Sequence, residues 1–518
     1  MQNGPPSIQK DERARSEERR AILTGAALGA LGAVTLAGSA EGSAIGPWDA
    51  DHLTLATTQS LPATEVPVGA KTINTLGYAR IGDGGGAVFQ RVEITPRADD
   101  IRSADGAAWR MRAEAGVVNV RQCGAAGDES RDDTDAIRAA FAFLREEGAS
   151  TLFFPPGTYR VSGPIISFAA GDKRFAIIGQ NADTTRILLA ASIPEPLISI
   201  VGEPGRGRIE WISFSELTFV NRNRRFRGDA VLVRFAYHID WKRCRWLNFD
   251  GRALTLDNYW DSNFSGCRFI GCGRQEPAGS EAAGLEPVAP TSAIWIGCSE
   301  QCDSSNNLNF VNCQFEASWH HQVEIDFFSR RINFVSCKFH GLQRAIITAA
   351  QVLIRGGRSG KFIGCAFAYG QEHDHISFVS GGLRRRGQGW IITACDFSYS
   401  AKAAVRVRST SELVIAHNNF GAIGENAETV VLEGYLRDPV RDGRIILGPN
   451  TFSKGETEPV VEEADSTAPT RSKATKALSE RWDEEHLRLG RYHLWVDEEG
   501  ILRMKDGQPQ HDQDGRPV

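Results

Sequence analysis

The chain has 518 residues, of which 41% are hydrophobic and 53 are glycine, and its net charge is −5. This length and apolar content allow a large folded core. The mild net charge gives no reason to expect nucleic acid or an anionic membrane surface as the partner.

Residues 1–44 have the pattern of a twin-arginine export signal. A polar stretch ends at Arg19-Arg20, and an uncharged run rich in Ala and Gly extends to Ala40. A transmembrane anchor is the alternative, but several glycines and few large aliphatic residues make this run a weak spanning helix. We therefore expect export to the periplasm or the extracellular space, with no stable membrane span after signal removal.

Residues 45–115 are expected to form a small β module. The glycine run Gly82–Gly86 precedes the strand-like segment 87–92 and predicts a turn. A phosphate-binding loop is disfavoured because no Lys-Ser/Thr pair follows the glycines and a strand, not a helix, comes next.

An amphipathic helix is predicted near residues 133–147. Asp132 or Asp133 can cap its start, and Ile137, Phe141 and Leu144 fall on one face. We expect this helix to cover the open end of the domain that follows, whose unpaired strand edge would otherwise invite aggregation.

A short phrase then repeats through the middle of the chain. Cys or Asn, one variable residue and an aromatic residue recur, as in Cys313-Gln314-Phe315 and Cys337-Lys338-Phe339, at intervals of 23 to 46 residues. Alternating strand-like runs follow the phrases, at 253–257, 293–297, 322–326, 404–408 and 429–433. A period in the twenties with β-type alternation predicts an all-β fold, a right-handed parallel β-helix over residues 116–455.

Two details of this β-helix follow from the repeat. Because 46 is twice 23, one coil is expected to lack the phrase, with its strand around Trp295 and a loop at 274–290. Most of the ten cysteines occupy one stacked position, where disulfide geometry is poor, so we expect buried free thiols. Residues 456–482 are a linker by composition, and 483–518 predict a terminal β-hairpin module that could support a homo-oligomer.

The opening of the repeat domain resembles a known group of proteins. Gly124-Ala125-Ala126-Gly127-Asp128, Asp132-Asp133-Thr134 and Phe154-Pro155-Pro156-Gly157-Thr158-Tyr159 are similar to motifs of the pectate-lyase-like β-helix superfamily, in the group with rhamnogalacturonase- and epimerase-type enzymes and phage tailspikes. Glu129 stands where that family usually has Gly. The resemblance implies a β-helix and carbohydrate chemistry, but its motifs are structural and specify no reaction.

Aligning the alternating strands gives two outward columns that carry the candidate site. One column is expected to contain Thr255, Trp295, Glu324, Ile347, Ser377 and Arg406, and the other Arg234, Asp257, Gly297, Asp326, Ala349 and Arg408. The candidate catalytic residues are Asp257, Glu324, Asp326, His320, His321 and Arg234, and the candidate substrate-binding residues are Trp295, Tyr259, Trp260, Arg406 and Arg408. A solvated sheet face is the competing interpretation, because outward positions are normally polar.

These residue types suit cleavage of an acidic polysaccharide. Hydrolysis needs two carboxyl groups beside the glycosidic oxygen, whereas elimination needs a base and a cation, either Arg or Ca²⁺. We therefore expect a polysaccharide lyase or glycoside hydrolase with a polysaccharide as its partner. The sequence firmly implies no cofactor and no metal site, although Ca²⁺ would suit a lyase. The alternative is a non-catalytic polysaccharide-binding or surface-structural β-helix.

Overall fold

The computed structural model describes a long all-β domain whose coils stack as a parallel β-helix. It describes residues 51–93, 97, 100–205, 207–274, 289–299, 304–341, 349–371, 373–379, 387–400, 402–408, 410–421, 428–433, 445–452, 460–463, 482–483, 486–489, 492–496, 502–506 and 516–517. The predicted signal at 1–44 and most of the predicted linker at 456–482 therefore lie outside the described residues. Within the described part, no helix combines the length and the apolar character needed to cross a membrane.

Each coil contributes one strand to each of three faces, and neighbouring coils pair in parallel. The first face comprises Ile166–Phe168, Ile198–Val201, the first part of Val231–Lys242 and of Leu254–Ser265, Ile294–Gly297, Val323–Ile325, Val352–Ile354, Ile376–Phe378, Ala403–Val407, Glu428–Glu433 and Val460–Glu463. The second face comprises Val117–Asn119, Thr151–Phe154, Ala176–Gly179, Ile209–Ser215, the second part of the two long strands, Ser305–Val311, Ser329–Val335, Lys361–Ile363, Gly387–Thr393, Thr410–Ala416 and Ile445–Leu447. The third face comprises Asp128–Asp132, Gly157–Val161, Thr185–Leu189, Thr218–Val220, Arg245–Leu247, Arg268–Ile270, Gln314–Glu316, Lys338–His340, Ala366–Gln371, Asp396–Ser400, Asn419–Phe420 and Thr451–Phe452.

In-register stacking builds the core from columns of like residues. Parallel strands lie about 4.8 Å apart, so equivalent side chains of neighbouring coils touch. Phe315, Phe339 and Phe367 stack with ring centroids 4.6 Å apart in each successive pair. Cys313, Cys337 and Cys365 stack beside them, since the following residues pair in register from coil to coil. The aligned column confirms the repeat-based prediction of the β-helix.

The three corners of the coil differ in length. Between the second and third faces only two residues intervene in most coils, as at 243–244, 312–313 and 336–337. Between the third and first faces the length of the connection varies widely, from 2 residues at 401–402 to 23 residues at 271–293. The prediction of a coil without the phrase is therefore wrong. Arg268–Ile270 pairs directly with Gln314–Glu316, so the 46-residue interval is a single coil lengthened by a loop.

Short elements precede the coils or connect their strands. His52–Leu55, Thr72–Thr75, Val88–Val92, Ala108–Met111 and Ile101–Arg102 form a five-stranded sheet. An α-helix at Thr134–Glu146 buries Ile137, Phe141 and Leu144, and 3₁₀-helices occupy Thr58–Ala63, Glu114–Gly116, Val120–Cys123 and Arg222–Arg224. Near the other end, Trp482–Asp483, His486–Leu489, Tyr492–Val496, Leu502–Asp506 and Arg516–Pro517 form a second five-stranded sheet.

Candidate functional site

The outer surface of the first face carries the charged residues that the sequence singled out. Backbone register aligns Arg234 with Asp257, Asp257 with Gly297, and Thr255 with Trp295, which itself pairs with Glu324. At the next coil the predicted columns are wrong, but Ser377 and Arg406 then follow in register as predicted. The next strand is Val352–Ile354, so Leu353 follows Glu324 and Arg355 follows Asp326, in place of Ile347 and Ala349. Ile347 lies outside the described residues.

Asp257 is held by four hydrogen bonds and is only 1% exposed. Its carboxylate accepts from Arg234 Nε at 2.8 Å, from Asn258 Nδ2 at 3.0 Å, and from the backbone N–H and hydroxyl of Ser299. The buried carboxylate therefore fixes the Arg234 guanidinium, whose side chain remains 33% exposed. This arrangement suits a positioning role for Asp257 and leaves Arg234 facing outward as a cation.

Glu324, in the outward column of Thr255 and Trp295, forms a second ion pair. Its Oε1 accepts from Arg355 Nε at 2.8 Å and its Oε2 from Ser292 Oγ at 3.1 Å. Burial raises the pKa of Glu324, but the hydrogen bond and charge of Arg355 outweigh this effect, so the pKa lies below its usual value. Glu324 is therefore a carboxylate at neutral pH and is poorly suited to donate a proton.

His320 and His321 stack on one another at the edge of this face, with ring centroids 4.2 Å apart. His321 Nδ1 lies 2.6 Å from the carbonyl oxygen of Ala350, which can only accept, so Nδ1 carries the hydrogen. Burial, together with the neighbouring His320, lowers the pKa of His321 to about 4. His321 is therefore a neutral imidazole at pH 7 and a weak base.

The side chains of Trp295 and Asp326 both lie close to Gly297. A methyl group added at Gly297 would lie 2.5 Å from Cζ2 of Trp295 and 3.0 Å from Cβ of Asp326. The indole thus covers the Gly297 backbone between the two aspartates, and the Arg252 guanidinium lies 5.7 Å from its ring centroid. The Asp326 carboxylate accepts a hydrogen bond from the Phe327 N–H at 2.8 Å. Trp295 and Asp326 are both half-buried, so both reach the surface.

The structure places two of the predicted substrate-binding residues away from the surface. Tyr259 is fully buried and donates its hydroxyl to the Ile239 carbonyl at 3.1 Å, so it belongs to the core. Arg406 is 7% exposed and its Nε lies 3.0 Å from Asp374 Oδ2, which makes it half of a buried ion pair. Trp260 is half-buried at the corner between the first and second faces, and Arg408 is exposed.

The arrangement brings Arg234, Trp295, Glu324, Asp326 and Arg355 together on one outer wall. Sequence reasoning missed Arg355, Ser292 and Ser299, which lie outside the alternating strands where no periodic signal marks them. Among the described residues, no group of three His, Cys, Asp or Glu side chains is placed to hold a metal ion. The Asp257 and Glu324 carboxylates instead face arginines, so the described part of the site does not fit a Ca²⁺ cradle.

Two family models match parts of the chain. Residues 117–258 match the model described as rhamnogalacturonase A/epimerase, pectate lyase-like. Residues 447–518 match the model described as capsule depolymerase. The first match lies in the coils that lead up to and include Arg234 and Asp257.

Two curated proteins match parts of the sequence, and a solved tailspike structure matches most of the fold. Alginate lyase 7 of Azotobacter vinelandii is 32% identical over 118 residues, which are 22% of this chain and 13% of the lyase. The non-secreted LysM effector LysM19 of Penicillium expansum is 26% identical over 208 residues, 38% of this chain and 16% of the effector. The chain thus spans less than a fifth of either protein. The Acinetobacter phage vB_ApiP_P1 tailspike protein superposes with a TM-score of 0.56 at 15% identity, covering 81% of this chain and 77% of the tailspike, which shows a shared fold.

Proposed function

We propose that this chain, whose coils have the fold of the pectate-lyase-like parallel β-helix superfamily, cleaves an acidic polysaccharide on the outer wall of its first face. The observation that carries the proposal is the pairing of arginines with carboxylates around Trp295. Arg234 and Arg355 each contact a carboxylate through Nε at 2.8 Å. The matches to an alginate lyase and to a capsule depolymerase model support the same class of substrate.

Elimination is the chemistry that these groups favour over hydrolysis. Hydrolysis needs one carboxyl group that is protonated to serve as the acid, and the lowered pKa of Glu324 leaves it ionised. Elimination from a uronate needs a cation at the substrate carboxylate and a base for the proton at C5. Arginines supply the cation without a metal, because the guanidinium fork matches a carboxylate.

The proposed step assigns one role to each group. Trp295 supports a sugar ring, and Arg355, one strand from Asp326, binds the carboxylate of the uronate that is cleaved. Arg234 lies four strands from Arg355, about 19 Å along the stack, and binds the carboxylate of another uronate of the polymer. Asp326 accepts the C5 proton, the electron pair forms the C4–C5 double bond, and the C4–O bond breaks. The departing oxygen takes a proton from water or from His320 at the edge of the face. The proposal includes export, which rests on the twin-arginine pattern of residues 1–44.

The first test is a substrate panel. The purified mature protein is incubated with uronate-rich and neutral polysaccharides, and both new reducing ends and ultraviolet absorbance of an unsaturated product are followed. Elimination produces both signals, whereas hydrolysis produces reducing ends alone. Binding without any product would favour the alternative, a non-catalytic binding protein, which the complete satisfaction of Asp257 within the protein also fits.

The second test is a prediction for the base. Asp326→Asn removes the proton acceptor but keeps the size of the side chain and its hydrogen bond from Phe327, so activity should fall at least about a hundredfold. The melting temperature should stay close to that of the unchanged protein, because Asp326 is half-buried. Thr255→Ser on the same face serves as the matched control. Full activity in Asp326→Asn would remove Asp326 from the mechanism.

A further inference from the structure

The corner between the first and second faces has a feature that the candidate site does not use. In six successive coils the residue at one shared register position adopts a left-handed backbone conformation, with φ between 48° and 63°. These residues are Arg174, Trp211, His238, Asp261, Asn307 and Arg331. Strand register places them one above another along the β-helix. Gly or Asn adopts this conformation most cheaply, so Trp, His and Arg at these positions carry a backbone cost.

Aromatic rings dominate one end of this corner. Trp211 is 54% exposed and stacks on His238 of the next coil, with centroids 4.2 Å apart and planes 19° apart. Tyr237 and Trp260 are paired in register beside them and are half-buried. The Arg208 guanidinium lies 5.1 Å from the Trp260 ring centroid and 5.8 Å from that of Tyr237. Flat, partly exposed rings of this kind offer stacking surfaces to a sugar ring.

Positive charge dominates the next part of the corner. Arg330 and Arg331 are exposed and adjacent, and Arg358 of the following coil is exposed and bridges to Arg330 through the backbone. The Arg331 N–H donates to the Arg358 carbonyl at 2.8 Å, so the three cations sit on neighbouring strands. Like charges in such positions destabilise a sheet. Three adjacent exposed cations raise the local positive potential and so complement an anionic ligand.

We propose that this corner is a binding track for the acidic polysaccharide. The corner track consists of Trp211, Tyr237, His238, Trp260, Arg330, Arg331 and Arg358. Sugar rings stack on its aromatic part, and uronate carboxylates bind its arginines, two coils or about 10 Å farther along. Trp260 is three residues beyond Asp257 on the same coil, so the corner track flanks the outer wall on which cleavage is proposed. The inference rests on the proposed function for the identity of the ligand.

Binding measured apart from cleavage tests the corner track. All variants carry Asp326→Asn to suppress turnover, and titration calorimetry measures the Kd for oligomers of a polyuronate and of a neutral glucan. Trp211→Ala should raise the Kd for the polyuronate about tenfold, as should the triple variant Arg330→Ala, Arg331→Ala, Arg358→Ala. The effect of the triple variant should shrink as salt is added, because exposed charges are screened. Thermal melting verifies that each variant is folded.

A column of arginines on the third face provides the matched control. Arg186→Ala, Arg245→Ala and Arg268→Ala together remove the same charge from an outer column of that face. The control should leave the Kd within about twofold. An equal loss in the control, or no loss in either corner variant, would overturn the corner track. If the variants weaken binding while no polymer is cleaved by the unchanged protein, the corner track stands and the proposed cleavage fails.

Discussion

At the scale of single residues, the candidate site depends on Gly297, which has no side chain. The Trp295 ring occupies the space that a Cβ of Gly297 would fill, and this places the indole between Asp257 and Asp326. The carboxylates on either side are consequently separated by the indole ring. A sugar ring that rests on Trp295 would lie within reach of Asp326 and of the arginines around it.

Gly297→Ala should therefore disturb both stability and activity. The added methyl group would meet Cζ2 and Cη2 of Trp295 at 2.5 and 2.7 Å, so the indole must move. Overpacking of this kind costs about 1–3 kcal/mol of stability. Displacing the indole should reduce the cleavage rate by a larger fraction than it reduces the free energy of unfolding. Chemical denaturation and product release measure the two effects. Gly421→Ala is the control, because its methyl group would make only ordinary contacts, the nearest at 3.4 Å.

Alternation along the strands predicted the positions of Arg234, Asp257, Trp295 and Glu324, since period two decides which side chains face outward. Tyr259 was wrongly placed because the backbone of Asn258 is left-handed, with φ of 50°, and the alternation does not continue through that bend. Arg406 does follow the pattern, but Asp374, from a neighbouring connection, covers it and forms its ion pair. Contacts made by loops leave no periodic trace in the sequence, and this is also why Arg355 was missed.

At the scale of elements, the stacked cysteines behave as small apolar side chains. The described ladder cysteines Cys244, Cys267, Cys313, Cys337, Cys365 and Cys395 are free thiols, and all of them are buried. Burial raises the pKa of Cys244 to about 12 and that of Cys272 to about 11. Both thiols therefore stay protonated at neutral pH, and a protonated, enclosed thiol is a poor nucleophile.

Iodoacetamide should alkylate these two thiols only when the protein is unfolded. In the native protein at neutral pH, iodoacetamide should leave Cys244 and Cys272 unmodified over hours, whereas both should react within minutes in denaturant. Peptide mapping by mass spectrometry measures the modification, with half-buried Cys123 as the internal reference. Rapid native labelling at either position, or a disulfide that includes either residue, would contradict their burial as free thiols.

The repeated phrase predicted the third face well, because each phrase lies at a two-residue corner and keeps the same place in every coil. It failed at the interval of 46 residues, where arithmetic suggested two coils and the structure has one. Corner length is not constrained by stacking when the extra residues leave the core, so period alone cannot separate a missing repeat from an inserted loop. The strand at Val352–Ile354 was misplaced for the same reason.

At the scale of the whole molecule, buried histidines link folding to pH. Burial lowers the pKa of His375 to about 3 and, with His320, that of His321 to about 4. The unfolded chain should have histidine pKa values near about 6.5. The folded state therefore binds fewer protons than the unfolded state in the window between these values. The contribution of the neutral His321 and His375 imidazoles to the stability of the folded state is complete above pH about 6.5 and is lost as the pH falls toward 4.

The free energy of unfolding should accordingly fall by a few kcal/mol between about pH 7 and about pH 4.5. Denaturant titrations across this range measure the slope. His375→Gln should flatten the slope, even if it lowers stability at pH 7, because the replacement has no proton to gain. Ile376→Val, at a fully buried position, should leave the slope unchanged because it alters no titrating group. An unchanged slope in His375→Gln would mean that other groups carry the pH dependence.

The unequal corners of the coil have one further consequence. Connections between the second and third faces are held at two residues in most coils, while those between the third and first faces range from 2 to 23 residues and border the proposed cleavage wall. Lengthening there adds no strain to the stacked interior. Exchanging a segment such as 271–293 should therefore alter the surface beside the proposed cleavage wall while the pairing of the coils stays unchanged.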